Sequence, residues 1–333
     1  ILFLIVFKMG VTGILLSMLI TKILNNSSLA IITFRRTRLD FSLKKLKEMI
    51  NFGLPLVPGS MGMFIMHFSD RFFVQKFCSL NDLGVYSLGY KFGMIISIVV
   101  SAPIFRIWNT QRFEIAKTDH GKQVLGRIFT YYSAVVIFAG LGIGVLIKEI
   151  IFIMAAPGFQ ESTAVVPLIV LSYILYGAAG YFTLGMMITK RTKYIAYVQL
   201  STAGINILFN MFFISRYGVM GAAISTVLSF LLLAVLSFAV SQKLYTVPYE
   251  YGRVAILFGL AMSVFGLSRL IELPFLMSVG IKSLLILGFP LLLFLGGFFY
   301  EDEISKGREL LRDITSRWGT GKGLAKMAKG LKK

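Results

Sequence analysis

Apolar stretches of bilayer-spanning length recur from Ile1 to Phe299, and the hydrophilic links between them alternate between strongly basic and nearly uncharged. A hydrocarbon core about 30 Å thick needs roughly 20 helical residues at about 1.5 Å rise each, and a spanning helix satisfies its own backbone hydrogen bonds there. The pattern predicts an all-α, polytopic membrane chain with about nine transmembrane helices. The spans read as Ile1 to Thr21, Phe52 to Phe77, Leu83 to Trp108, Ile128 to Ile147, Ala164 to Thr189, Tyr194 to Ile214, Gly221 to Ser241, Val254 to Ile271 and Val279 to Phe299.

Lysine and arginine bias in short links sets orientation. One set of links carries Arg35, Arg36, Arg38, Lys44, Lys45 and Lys47, then Arg106, Arg112, Lys117, Lys122 and Arg127. The same side receives Lys190, Arg191, Lys193, Lys243, Arg253 and the tail from Lys306 to Lys333. The opposite links hold only Lys76, Lys148, Arg216, Arg269 and Lys282. The loaded links are therefore expected in the cytoplasm, with the first residue outside and the last inside.

A formal charge of +19 raises the question of nucleic acid, but 56% of the residues are hydrophobic and the basic ones flank span ends on one side. There anionic membrane lipids attract them by about 1 kcal/mol each, so no nucleic-acid partner is expected. Cys78 is the lone cysteine, which rules out an intrachain disulfide and a thiolate metal cluster. No metal and no cofactor are expected. The chain does not begin with methionine, and Ile1 already lies in an apolar span, so it reads as part of something longer.

The organisation expected is a first span over residues 1–24, a basic amphipathic linker over 25–50, a body of eight spans over 51–300, and a basic tail over 301–333. In the linker, Asn25 to Ser28 is polar. Leu43, Leu46 and Ile50 then share a helical face opposite Lys44, Lys45 and Lys47, with Asp40 or Ser42 as the cap. The tail repeats the arrangement with Ile304, Leu311, Ile314 and Trp318, which predicts an interfacial helix ahead of a flexible Gly- and Lys-rich end.

Ionisable groups inside the spans are costly and mark candidate sites. His67, Asp70 and Arg71 lie within about one turn of the second span, and Lys91 lies in the third. Asp70, the only acid counted inside a span, and Lys91 are equally far from the turn near Asn81 and Asp82. An antiparallel pair of helices puts them at one depth. Either they form a structural ion pair, or Asp70 is neutralised by the adjacent Arg71, or Lys91 and Arg71 hold a substrate phosphate while Asp70 positions them. An unperturbed histidine titrates near neutral pH, so His67 is a candidate for proton coupling, or else a packed polar residue. Lys8, near the middle of the first span, is read as snorkelling.

Gln199, Thr202, Asn206 and Asn210 form a polar stripe at spacings of three, four and four. Their amides either line a sugar-accessible cavity or bond neighbouring helices. Gly53, Pro55, Pro58, Gly59 and Gly62 punctuate the start of the second span, a candidate hinge or a static kink.

The run from Gly53 to Gly59 (Gly-Leu-Pro-Leu-Val-Pro-Gly), the run from Ser69 to Phe73 (Ser-Asp-Arg-Phe-Phe) and the run from Gly84 to Gly93 (Gly-Val-Tyr-Ser-Leu-Gly-Tyr-Lys-Phe-Gly) resemble the seventh and eighth helices of bacterial oligosaccharide-lipid flippases. Asn206 and Asn210, followed by the run from Tyr217 to Ser225, resemble that family's eleventh helix and the entry to its twelfth. The resemblance covers essentially the whole chain. Such proteins belong to the multidrug, oligosaccharidyl-lipid and polysaccharide exporter superfamily, built from fourteen helices in two lobes around a cavity. It implies that this chain supplies helix six, from the amino-terminal lobe, and the whole carboxyl-terminal lobe.

The implied activity is translocation of undecaprenyl-diphosphate-linked oligosaccharide across the bacterial inner membrane by alternating access. It would serve surface polysaccharide export, as in O-antigen, lipopolysaccharide or exopolysaccharide assembly, and involve no covalent chemistry, so the protein is not expected to be an enzyme. The site residues implied are Arg71, Lys91, Gln199, Asn206 and Asn210 for substrate, with Asp70 and His67 for pairing or coupling and Gly53, Pro55, Pro58 and Gly59 for bending. A polysaccharide polymerase and chain-length machinery are the implied protein partners. The competing readings are a drug or cation antiporter of the same superfamily, which would favour acidic cavity groups, and a membrane glycosyltransferase or ligase acting on lipid-linked sugars. A non-transporting scaffold is the third.

Overall fold

The computed structural model describes residues 3, 6–36, 41–271 and 273–305, which are helical throughout with short connections and contain no strand. Eight helical stretches among them are long and apolar enough to cross a membrane, the pattern of a multi-pass membrane protein. The chain divides into two units, Ile1–Asn51 and Phe52–Lys333.

The first unit holds α1 (Gly10–Arg36) and most of α2 (Leu43–Gly53). α1 differs from the expected span at both ends. Lys8 and Gly10 adopt positive φ, 48° and 54°, so the helix starts after Lys8, which is not inside a span. It then runs on through Asn25 to Ser28 rather than ending at Thr21. Two hydroxyls in it are satisfied within the helix: Thr21 Oγ1 donates to Ser17 O at 2.7 Å and Ser28 Oγ donates to Leu24 O. α2 is the amphipathic helix expected, with the Lys45 and Leu46 N–H groups donating to Ser42 Oγ and O. Asp40, the alternative cap, lies outside the described residues, as does the expected tail helix apart from residues 301–305, which are helical.

The second unit contains α3 (Leu56–Phe77), α4 (Leu80–Ile95), a π-helical turn (Ile96–Ser101), α5 (Ala102–Ile115), α6 (Gly121–Met154), α7 (Ser162–Phe182), α8 (Leu184–Ile188), α9 (Lys193–Leu244), α10 (Tyr251–Arg269) and α11 (Phe275–Leu295). The break between α2 and α3 falls at Leu54 and Pro55, where the Gly-Leu-Pro run disfavours continued helix. Ser79 and Asp82 make a reciprocal capping box at the start of α4. The π turn precedes Pro103, which lacks an N–H, and the Ala102 N–H donates five residues back to Ser97 O.

At 52 residues, α9 is about 78 Å of helix, more than twice a hydrocarbon core. The two spans expected from Tyr194 and Gly221 are its two arms. They are separated by Gly218 alone, whose φ of 55° and ψ of −134° suit only a residue without Cβ.

α9 packs against α3 and α7, α7 against α4 and α6, and α10 and α11 against α6. Small residues bring α3 and α9 together: a Cβ on Gly62 would lie 3.1 Å from Gln199 O, and one on Gly59 would overlap Gln199 Oε1. An aromatic cluster joins α5, α6 and α7, with Trp108 stacked 4.4 Å from Tyr181 and the Tyr181 hydroxyl donating to Leu125 O at 2.7 Å.

After α11 the chain is tied back by Glu303. Its Oε1 accepts from Tyr131 at 2.5 Å, and its Oε2 accepts from Arg253 Nη2 at 2.7 Å and from the Tyr300 N–H at 3.1 Å. Arg253 is also 2.8 Å from Glu250 and is sandwiched by the rings of Phe298 and Tyr300.

Candidate functional site

The polar residues singled out in α3 and α9 turn inward and bond one another. Asp70 is buried. Its Oδ1 accepts from the Arg71 N–H at 2.7 Å and Arg71 Nη1 at 3.1 Å, and its Oδ2 accepts from Tyr86 at 2.5 Å. Arg71 Nη1 also donates to His67 O at 2.6 Å, and its guanidinium lies 4.3 Å over the Tyr90 ring. Lys91 takes no part. It lies on the exposed side of α4 with Met94 and Ile95. The expected pairing with Asp70 fails for an angular reason: at about 100° per residue, Lys91 is about 140° around the helix from Tyr86, the residue that faces Asp70. Equal depth did not imply a shared face.

His67 is packed, with Nδ1 3.0 Å from the Tyr90 hydroxyl and its ring among those of Tyr173, Tyr176 and Phe230. Of the two readings for the Asn206 and Asn210 amides, helix bonding is the one observed. Both are buried. Ser69 Oγ donates to Asn206 Oδ1 at 2.9 Å, Asn210 Nδ2 donates to Ser69 Oγ at 3.0 Å, Asn206 Nδ2 donates to Ser229 Oγ at 2.9 Å, and Ser225 Oγ donates to Asn210 Oδ1 at 2.6 Å. These bonds join α3 to the first arm of α9, and the first arm to the second across the Gly218 break. Gly59, expected in a hinge, is held in the α3–α9 contact by its missing side chain.

Of the expected substrate residues, Gln199 lines a cavity. That cavity, about 500 Å³, lies between α3, the π turn, α5, α7, α8 and α9 and is lined on one side by Arg106, Asn109 and Arg112 of α5. Ser97 and Ser101 of the π turn, Thr183, Gln199 and Ser237 supply hydroxyls and an amide. No carboxylate lines it among the described residues. Arg106 is exposed towards the mouth, whereas Arg112 is only 6% exposed. Neither makes an ion pair with a described residue, and Arg112 Nε and the adjacent Trp108 Nε1 are buried without any hydrogen-bond partner.

A buried cation without a counter-charge is costly, and the guanidinium fork matches phosphate or carboxylate oxygens. The cavity is suited to an anion flanked by hydroxyl-bearing groups. Its size falls in the about 300 to 1,000 Å³ of ordinary ligand sites. The arginines were read in the sequence only as charges that set orientation. The signal for a site was present in Ser101, Phe105, Arg106, Asn109 and Arg112, which recur at one-face helical spacing.

A second buried ion pair also escaped the sequence reading. Glu149 of α6, which falls in an expected link, and Lys282 of α11, counted with the outer links although within the last expected span, meet inside the bundle at 2.5 Å. Asp70 is thus not the only buried acid of the spanning helices.

Residues 1–111 match the family model described as polysaccharide biosynthesis protein, a stretch that includes α5 as far as Arg106 and Asn109. No curated protein and no solved structure matches the chain.

Proposed function

We propose that the chain acts in a bacterial inner-membrane translocator that moves undecaprenyl-diphosphate-linked oligosaccharide between leaflets. The observation that carries this reading is the cavity with two arginines and no carboxylate among its described lining residues, in a chain of membrane-spanning helices whose first third matches a polysaccharide biosynthesis family. In this reading Arg112 and Arg106 take the diphosphate. Asn109, Gln199, Ser101 and Ser237 exchange hydrogen bonds with the first sugars, and the lipid tail stays in the bilayer. The basic α5 end faces the cytoplasm, in keeping with the charge bias of the links. Anionic lipids hold the basic linker and tail, and a polymerase and chain-length machinery receive the product.

Transport requires no bond to be made or broken, and the cavity offers binding groups rather than a general base. A cation antiporter would need a carboxylate where the two guanidiniums stand, and a sugar transferase would need one to activate its acceptor. Bending at Gly53, Pro55 and Pro58 remains our assignment for the hinge of alternating access.

The test is leaflet translocation of the lipid-linked oligosaccharide by the full protein, comparing Arg106→Ala, Arg112→Ala and Arg112→Lys at equal membrane abundance. Arg112→Ala is expected to slow translocation at least tenfold and Arg112→Lys to retain part of it. Undiminished transport by the Arg106→Ala, Arg112→Ala double variant refutes the reading.

A further inference from the structure

The far end of α7 holds a second cleft, about 450 Å³, that the transport reading does not use. Thr163 lies in this cleft and Thr183 in the arginine cavity, so the two are one helix length apart, about 30 Å. The cleft is built on Glu149. That residue is 8% exposed; its Oε1 accepts from Ser278 Oγ at 2.6 Å and Lys282 Nζ at 2.5 Å, while its buried Oε2 has no partner. Around it stand Lys148, Gln160 and Thr163, and at the rim the rings of Phe152 and Phe275 with centroids 5.5 Å apart. Both rings are exposed, 67% and 38%, and the Gln160 side-chain amide bonds no described residue.

These groups select a ligand class. A buried acceptor without a donor calls for a hydroxyl or N–H group. An anion is opposed by the carboxylate oxygen that faces it. A metal ion is opposed by the Lys282 ammonium already on the same carboxylate and by Lys148, and the cleft holds no second carboxylate among the described residues. A neutral polyol meets neither obstacle. Its hydroxyls donate to Glu149 Oε2, the Gln160 amide can both donate and accept, and the apolar face of a pyranose ring lies on exposed aromatic rings.

We infer that this cleft is a binding site for a neutral hexopyranosyl unit, set at the end of the bundle opposite the arginine cavity. By the charge bias of the links that end is the outer one. A sugar chain emerging there, or already assembled on the outer leaflet, meets a surface that takes it without its phosphate. The inference stands on the cleft's own residues, and its test reads sugar binding rather than transport.

The full chain in nanodiscs is titrated with methyl α-glucoside, methyl α-galactoside and methyl α-mannoside, with glucuronate and glucosamine as charged controls, and binding is read by saturation-transfer NMR. In the Arg106→Ala, Arg112→Ala background, which removes the other cavity's cations, at least one methyl glycoside is expected to bind in preference to both charged sugars. Phe152→Ala and Gln160→Ala, at the cleft's accessible edge, are each expected to weaken binding about tenfold, with Phe152→Tyr preserving it. Glu149→Gln keeps an acceptor and is expected to bind more weakly. If that variant fails to fold, the two rim variants still decide. Arg112→Ala is expected to leave sugar binding intact whatever it does to transport. The inference is overturned by absence of saturation transfer from all three methyl glycosides, by tighter binding of glucuronate once Arg106→Ala and Arg112→Ala have removed the other cavity's cations, by unchanged binding in the Phe152→Ala, Gln160→Ala double variant, or by loss of methyl glycoside binding in Arg112→Ala.

Discussion

Replacing Arg112 by methionine separates a binding arginine from a structural one, because the two roles predict opposite signs of stability change. In the ligand-free fold the guanidinium has no carboxylate partner among the described residues, its Nε is buried and unbonded, and its Cζ lies 5.1 Å from the centroid of the Phe113 ring. An unsatisfied buried donor costs about 1 to 3 kcal/mol, and a cation over a ring returns about 0.5 to 1 kcal/mol. Methionine keeps an unbranched apolar stem and removes both terms, so Arg112→Met is expected to be neutral or to stabilise the ligand-free protein by up to about 2 kcal/mol. The same change removes two charge-assisted hydrogen bonds to a bound phosphate, each about 1.5 to 3 kcal/mol, which weakens binding at least about a hundredfold.

The assay is reversible unfolding in mild detergent with and without inorganic pyrophosphate. At a hundred times its dissociation constant, pyrophosphate stabilises the parent protein by about 2.7 kcal/mol. That increment is expected to fall to about 0.4 kcal/mol or less in Arg112→Met while the ligand-free midpoint holds or rises. A variant destabilised by more than about 1 kcal/mol that keeps its pyrophosphate increment would show that Arg112 is a strut and that the cavity's anion lies elsewhere.

The positions of the spanning helices were legible because hydrocarbon demands a long apolar run whatever the tertiary contacts. Their ends were not. α6 extends from Gly121 to Met154, well past the apolar window at both sides, since a helix continues into the interface wherever nothing breaks it. The Gly218 break was legible as a gap between spans, but not as one residue in an otherwise continuous helix. In the site, Gln199 was legible as a cavity residue. Asn206 and Asn210 were not placed, because their partners Ser69, Ser225 and Ser229 carry no mark in sequence that distinguishes them from other small residues. Lys91 was misplaced because depth along a helix is readable from residue number, whereas the facing direction across a helix pair depends on packing. Arg106 and Arg112 show the reverse error. Charges near a span end satisfy the orientation rule so well that their second role, on a face shared with Ser101 and Asn109, is hidden.

Two further outcomes follow from backbone and charge. Gly218→Ala is expected to cost about 1 to 3 kcal/mol although the nearest atom to the new Cβ, Cys78 Sγ, is 3.7 Å away; Gly204→Ala, inside a helix and facing open space, is expected to be neutral or slightly stabilising. Equal effects of the two in reversible unfolding would remove backbone strain as the cause. The last concerns acid. Burial pushes the Glu303 carboxyl up, but the Tyr131 hydroxyl, the Tyr300 N–H and Arg253 outweigh it and hold the group below its ordinary value of 4.5. A carboxyl depressed in the fold contributes stability that is complete above its unfolded value and is lost as pH falls through the folded one. The stability difference between the parent protein and Glu303→Gln is therefore expected to stay constant from about pH 7 to about pH 5 and to shrink below about pH 4. A difference that stays flat down to about pH 3, or one that shrinks already at about pH 6, contradicts the assignment of Glu303 as the ionised tie between the chain after α11 and the Arg253 end of α10.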